Sequence, residues 1–196
     1  MRLAAVPIAC HRDPNNALDV AYRQSKTTHQ GEEAAELCKL MTHIIIHAMN
    51  QETRGSKQFL DELPIEFLQE PSVQYLAQSR QEGTDPDRNW NWKDPHFRYS
   101  ATRELQNSGY MGSYAMDGMA MALHCVYTTS SFSEALLKCV NIGGDADSVG
   151  SVVGQIAGAI YGISSVPPEW IDAVQKWDGG GSIAMRAHVL FHAKYP

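Results

Sequence analysis

Asn141-Ile142-Gly143-Gly144-Asp145-Ala146-Asp147-Ser148-Val149-Gly150 runs on into Ser151-Val152-Val153-Gly154-Gln155-Ile156-Ala157-Gly158-Ala159-Ile160-Tyr161-Gly162. A Gly-Gly pair admits positive φ and permits a sharp turn. From such a turn Asp145, Asp147 and Ser148 can aim oxygens at one point, as hard cations such as Mg²⁺, Mn²⁺ or Ca²⁺ require. Capping of the following helix by Asp147 or Ser148 is the plainer reading of the same residues. Gly150, Gly154, Gly158 and Gly162 recur at every fourth position, which puts them in one row along a helix. Each glycine inside a helix costs roughly 0.5–1 kcal/mol relative to alanine. Such a row is expected where another backbone packs very close. The pattern therefore predicts a central, buried helix that holds an acidic loop rigidly at its N-terminus.

Working outward, the remaining segments also read as helices. Residues 17–24 have helical character after the Pro14-Asn15-Asn16 turn signal. A long helix is expected from Thr28 or Gln30 to about Met49, with Ala34, Leu37, Met41, Ile44, Ile45 and Ala48 at helical spacing. Shorter helices are expected over 58–67 and 72–80, separated by Pro71, and over 113–126 and 131–140, the latter capped by Ser131 or Ser133. Pro167-Pro168-Glu169 opens another, and the segment after Gly179-Gly180-Gly181 is the last. The stretch 84–100 reads as a loop whose aromatics, Trp90, Trp92, Phe97 and Tyr99, either anchor it or wall a substrate site. Strand signals are poor throughout. The expected fold is all-α, a single compact multi-helix domain over 1–196.

Composition narrows the function classes. The 196 residues carry a net charge of −6, with 43% hydrophobic and 19% charged side chains, a soluble globular profile. No Lys/Arg stripe offers phosphate neutralisation, which argues against nucleic acid as partner. The longest apolar run, 149–163, is short for a bilayer and contains Gln155, and no secretory leader is read at the start. Cys10, Cys38, Cys125 and Cys139 form no CxxC and read as reduced thiols, so the expected location is cytoplasmic.

The 141–162 block resembles the C-terminal signature of the ADP-ribosylglycohydrolase family, which includes the dinitrogenase-reductase-activating glycohydrolases. Met1-Arg2 with Ala5-Val6-Pro7, the 25–29 element, Ser108-Gly109-Tyr110, and Val166-Pro167 with Trp170 follow in the family's order. The resemblance implies an all-α fold and hydrolysis of an ADP-ribosyl glycosidic bond on an ADP-ribosylated protein or a related substrate. It implies two bound Mg²⁺ ions, or Mn²⁺ in their place, with Asp145, Asp147 and Ser148 as ligands. His29 matches a position near bound ADP-ribose and Tyr110 one near its ribose.

The family's Gly-rich acidic segment and Thr-Asp-Asp block, which supply the other ligands, have no counterpart. The chain is thus expected to match the C-terminal two-thirds of the family domain. Asp85-Pro86-Asp87 is a surface-loop substitute at best, and Asp61-Glu62 and Glu32-Glu33 read as solvated faces. Three side-chain ligands cannot fill two hard-cation shells, so one ion or none is expected on the chain alone. Two functions stay open: a hydrolase needing a separate N-terminal part, or a non-catalytic relative binding ADP-ribose or a protein. Apolar surface around the glycine helix would favour a second chain or self-association. The His43/His47 and His188/His192 pairs, each four apart, give a weaker zinc reading.

Overall fold

The computed structural model describes residues 1–97, 113–179 and 181–193. Its α-helices are α1 (Ala5–Cys10), α2 (Pro14–Lys26), α3 (Glu32–Met49), α4 (Pro71–Ala77), α5 (Ala115–Tyr127), α6 (Phe132–Ile142), α7 (Ala146–Tyr161), α8 (Pro168–Asp178) and α9 (Ser182–His192). The fold is all-α, and among the described residues the nearest thing to a strand is one isolated bridge between Gln81 and Asn89. None of the described helices is long and apolar enough to cross a membrane.

The core is organised by α3, α5 and α7. Every residue of α5 from Met116 to Val126 is buried. A helix with so broad an apolar surface is stable only when neighbours cover it on all sides. α3 covers it with Leu37, Leu40, Met41, Ile44 and Ile45, and α7 with Val149, Val153, Ile156, Ala157 and Ile160. α6 closes the other flank of α7. Its N-cap Ser131 accepts from the Glu134 N–H at 3.2 Å, and Glu134 reaches back to the Ser130 N–H at 2.8 Å. α8 and α9 have no fully buried residue, and α8 touches the core through Trp170, packed near Phe132. α9 leans on α1 through a stack of His11 on Phe191, with ring centroids 4.2 Å apart.

Several local expectations are corrected. The predicted 58–67 helix is a single 3-10 turn, Gln58–Leu60. Pro64 removes a backbone donor and restricts Leu63 before it, so no helix can run through. The long helix starts at Glu32 with Gly31 as its N-cap, not at Thr28 or Gln30. Those two side chains are used locally instead, Thr28 on His29 and Gln30 on the Lys26 carbonyl. The acidic loop shrinks to Gly143 and Gly144, because α6 runs on to Ile142. Among the described residues, the glycine row meets no neighbouring backbone. A Cβ on Gly154 or Gly158 would touch nothing within 4 Å, one on Gly150 would lie 3.8 Å from Leu136 and Val140, and Gly162 ends the helix at φ +80°. The core-facing stripe of α7 is the valine-isoleucine one, and the glycines fall beside it.

The aromatic loop is anchored. Trp90 and Trp92 are buried, and the Trp92 indole donates to the Leu76 carbonyl at 2.6 Å. His124 of α5 pairs through Nδ1 with the Trp92 carbonyl at 2.9 Å, tying the loop to the central helix. Tyr99 lies outside the described residues. The far end of α5 is closed by Lys57, whose ammonium donates to the carbonyls of Val126, Tyr127 and Thr129. The Val126 and Tyr127 carbonyls are among the unsatisfied acceptors that a helix C-terminus leaves, and a cation suits them. Replacing Lys57→Met should cost about 2 kcal/mol, the scale of lost charged hydrogen bonds. Urea titration should show a lower midpoint at an unchanged slope; an unchanged midpoint would show the cap to be idle.

Candidate functional site

Gly143 and Gly144 both adopt positive φ, +82° and +66°, and turn the chain from α6 into α7. Asp145 is the N-cap of α7, yet its side chain makes no capping hydrogen bond. Neither Asp147 nor Ser148 caps the helix; both lie in its first turn, where Asp147 Oδ1 accepts the Ser148 N–H at 2.9 Å. The carboxylate of Asp145 is thus left uncommitted to the helix end.

Asp145 and Ser148 line a cavity of about 280 Å³, and His29 lines it from the connection between α2 and α3. The exposed Asp147 stands beside this cavity in sequence but not in its lining. The His29 ring is paired through Nδ1 with the Thr28 hydroxyl at 2.9 Å. Apolar wall is supplied by Leu37 and Met41 of α3, Met119 of α5, and Val149 and Val152 of α7. Cys38 and Ser25 face the same space. Burial pushes the Cys38 thiol up, so it stays protonated. Tyr110 lies outside the described residues.

The residues present fit a hard cation in part. Asp145 and Ser148 offer oxygens into one cavity, and Asp147 adds a third alongside, the donor chemistry of Mg²⁺ or Mn²⁺. The described residues contain no cluster of three or more His, Cys, Asp or Glu with metal-holding geometry. The histidine pair on α3 is engaged elsewhere, His43 against Phe67 and His47 stacked on Phe59, with centroids 5.1 and 4.7 Å apart. Asp85 accepts the Asp87 N–H at 2.9 Å and closes a turn.

A family model described as ADP-ribosylglycohydrolase matches residues 1–195. The chain belongs to the ADP-ribosylglycohydrolase family. It is 28% identical over 154 residues to the ADP-ribosylarginine hydrolase Tri1 of Pseudomonas putida, which covers 77% of this chain and 34% of that protein. It is 40% identical over 63 residues to the ADP-ribosyl-(dinitrogen reductase) glycohydrolase of Rhodospirillum rubrum, covering 32% of this chain and 21% of that one. In fold it resembles a solved chain titled "ADP-ribosylglycohydrolase-related protein complex", with a TM-score of 0.66 and 24% identity, covering 95% of this chain and 57% of that one. The chain therefore spans about a third of the length of the curated relatives it matches first.

One feature next to the cavity lining of this family member had no sign in the sequence. Glu33 is not a solvated face. Its Oε1 accepts from the Ser72 hydroxyl and from Arg88 Nη2, each at 2.6 Å, and its Oε2 accepts from the Tyr114 hydroxyl. Arg88 also pairs with Glu82 and donates to the Tyr114 oxygen at 3.2 Å. The partners lie 39 to 81 residues away, so no local pattern marks them. The neighbouring Glu32 is exposed, as read, and pairs with Tyr22 and Lys26. Burial alone would raise the Glu33 carboxyl, but the bonds from Ser72, Tyr114 and Arg88 outweigh it and hold it below the usual range. Burial and the bond to Glu33 push the Tyr114 phenol up to about 12.

A carboxyl whose folded pKa is depressed contributes stability above its unfolded value, about 4.3 for glutamate, and loses it as pH falls through the folded value. Glu33→Gln should accordingly lower the melting temperature at neutral pH, with the gap to the wild type closing below about pH 4. A gap that stays constant from neutral to acid pH would show that the carboxylate charge is not what stabilises the network.

Proposed function

We propose that this chain forms the metal-side, C-terminal two-thirds of an ADP-ribosylglycohydrolase and serves the Mg²⁺-dependent hydrolysis of an ADP-ribosyl glycosidic bond on a modified protein. The observation that carries the reading is the shared cavity of Asp145, Ser148 and His29 at the start of α7. Asp145 and Ser148, with Asp147 beside them, would hold the ion through hard oxygens. When bound, the ion supplies charge stabilisation and a more acidic water. His29 would face the ADP-ribose, its ring fixed by Thr28, and Tyr110 would lie near the ribose. The apolar wall of Leu37, Met41 and Met119 would exclude water around the bound group, which strengthens each polar contact made there. Free cysteines and the acidic net charge suit a cytoplasmic protein acting on proteins rather than nucleic acid.

A second reading is favoured by one observation. The described residues assemble no three-residue cluster of His, Cys, Asp or Glu, so further ligands would have to come from outside the described residues, or the protein binds ADP-ribose without cleaving it. Release of ADP-ribose from a modified peptide separates the two. Turnover is expected with Mg²⁺ and is lost with EDTA. Asp145→Ala and Asp147→Ala should each reduce it at least about a hundredfold, on the scale of removing an electrostatic catalytic group. Calorimetric binding of ADP-ribose without turnover would establish the non-catalytic reading. Absence of both, even with the N-terminal part of a relative added, would sink the proposal.

A further inference from the structure

The Glu33 network sits where two walls of the Asp145 cavity begin. Ala34, next to Glu33, lines the cavity, as do Leu37, Cys38 and Met41 on the same helix. Tyr114 is the N-cap of α5, and Ser113 and Ala115 on either side of it line the same cavity. One carboxylate therefore joins the start of α3 to the start of α5. We infer that Glu33 is a positioning residue: with Tyr114 it ties the two walls together and sets the width of the cavity beside Asp145 and Ser148. This deepens the functional reading above, because it assigns a geometric control to the same cavity.

The bonding pattern supports that role over plain surface pairing. Glu33 and Arg88 are each only about a quarter exposed, at 25% and 28%. Exposed ion pairs contribute little because water screens them, whereas charge-assisted bonds in a half-buried network are shorter, stronger and directional. Three donors on two oxygens leave the carboxylate little freedom to rotate. Arg88, held in turn by Glu82, supplies the counter-charge that keeps a half-buried carboxylate tolerable. Ser72 donates to the same carboxylate from α4, which lies outside the cavity lining. Removing its hydroxyl takes away one bond and leaves the wall-to-wall link.

Cys38 reports on this without any ligand. It lines the cavity and is half-buried, whereas Cys125 and Cys139 are buried in the core between α5 and α6. Peptide-resolved labelling by a neutral maleimide should therefore run at a low rate at Cys38 in the wild type. In Tyr114→Phe and in Glu33→Gln the Cys38 rate should rise about fivefold or more, while Cys125 and Cys139 stay protected. Ser72→Ala should leave the Cys38 rate at the wild-type value. An unchanged Cys38 rate in both wall variants would overturn the proposal. A parallel rise at Cys125 and Cys139 would also overturn it, since that would mean general loosening rather than a wider cavity. In a second arm, ADP-ribose with Mg²⁺ is added to the same labelling reaction. Failure of ADP-ribose to protect Cys38 in the wild type counts against the hydrolase reading alone, so the two failures are told apart.

Discussion

The burial of α5 on every side is the constraint from which the rest of the molecule follows. A helix whose residues from Met116 to Val126 are all inside cannot stand at a surface. α3 and α7 must pack against it, and their chain directions then bring the starts of α3, α5 and α7 around one space. Ala34, Ala115 and Asp145 mark those three starts, and all three line the cavity. The site is thus a by-product of core packing, held by apolar contacts in the body of each helix rather than by the polar groups at its edge.

Three helix N-termini around one cavity set up a definite electrostatic problem. Each carries partial positive charge and backbone N–H groups with no partner inside the helix. The chain places a carboxylate at each of them: Asp117 in the first turn of α5, Glu33 in the first turn of α3, and Asp145 at the N-cap of α7 with Asp147 in the first turn of that helix. Those of α3 and α7 form two sets around the rim. The two sets are used differently. Glu33 is saturated by Ser72, Arg88 and Tyr114 and serves the walls. Asp145 makes no capping bond and keeps its oxygens for whatever enters. That division of labour between a satisfied and an uncommitted carboxylate separates the part of the rim that holds shape from the part that can hold a ligand.

How much of this was legible follows from how far apart the interacting residues lie. The all-α class, the long helix ending at Met49 and the Ser131 cap rest on local periodicity and local hydrogen bonds, and the structure reproduces them. The acidic turn was legible because glycine and aspartate sit within six residues. The departures have two causes. Pro64 is a local signal that already forbids a continuous helix over 58–67, whereas the status of Glu33 depends on Ser72, Arg88 and Tyr114, none nearby in the chain. The glycine row misled for a related reason. A four-residue repeat identifies a stripe of the helix, but only the packing of α5 and α6 decides that the adjacent valine-isoleucine stripe faces inward. At Gly154 and Gly158 the described residues leave the space open.

The flank of α7 at Gly154 and Gly158, open among the described residues, bears on what the carboxylates can do. Gln155 and Ser151 on that flank both reach the Met1 carbonyl, so the first residue of the chain lies against α7 beside the cavity it helps to line. Leu137 and Val140 of α6 are exposed as well, Val140 beside Gly150. A hard cation needs about six oxygens, and the cavity lining offers side-chain oxygens chiefly from Asp145, Ser148, Ser25 and Ser113. Water can complete such a shell, but water on an uncovered flank also weakens every charge interaction through its high dielectric. The strength of any ion held by Asp145 and Ser148 would therefore depend on how far the cavity is closed to water, which makes its accessibility and its affinity one physical question rather than two.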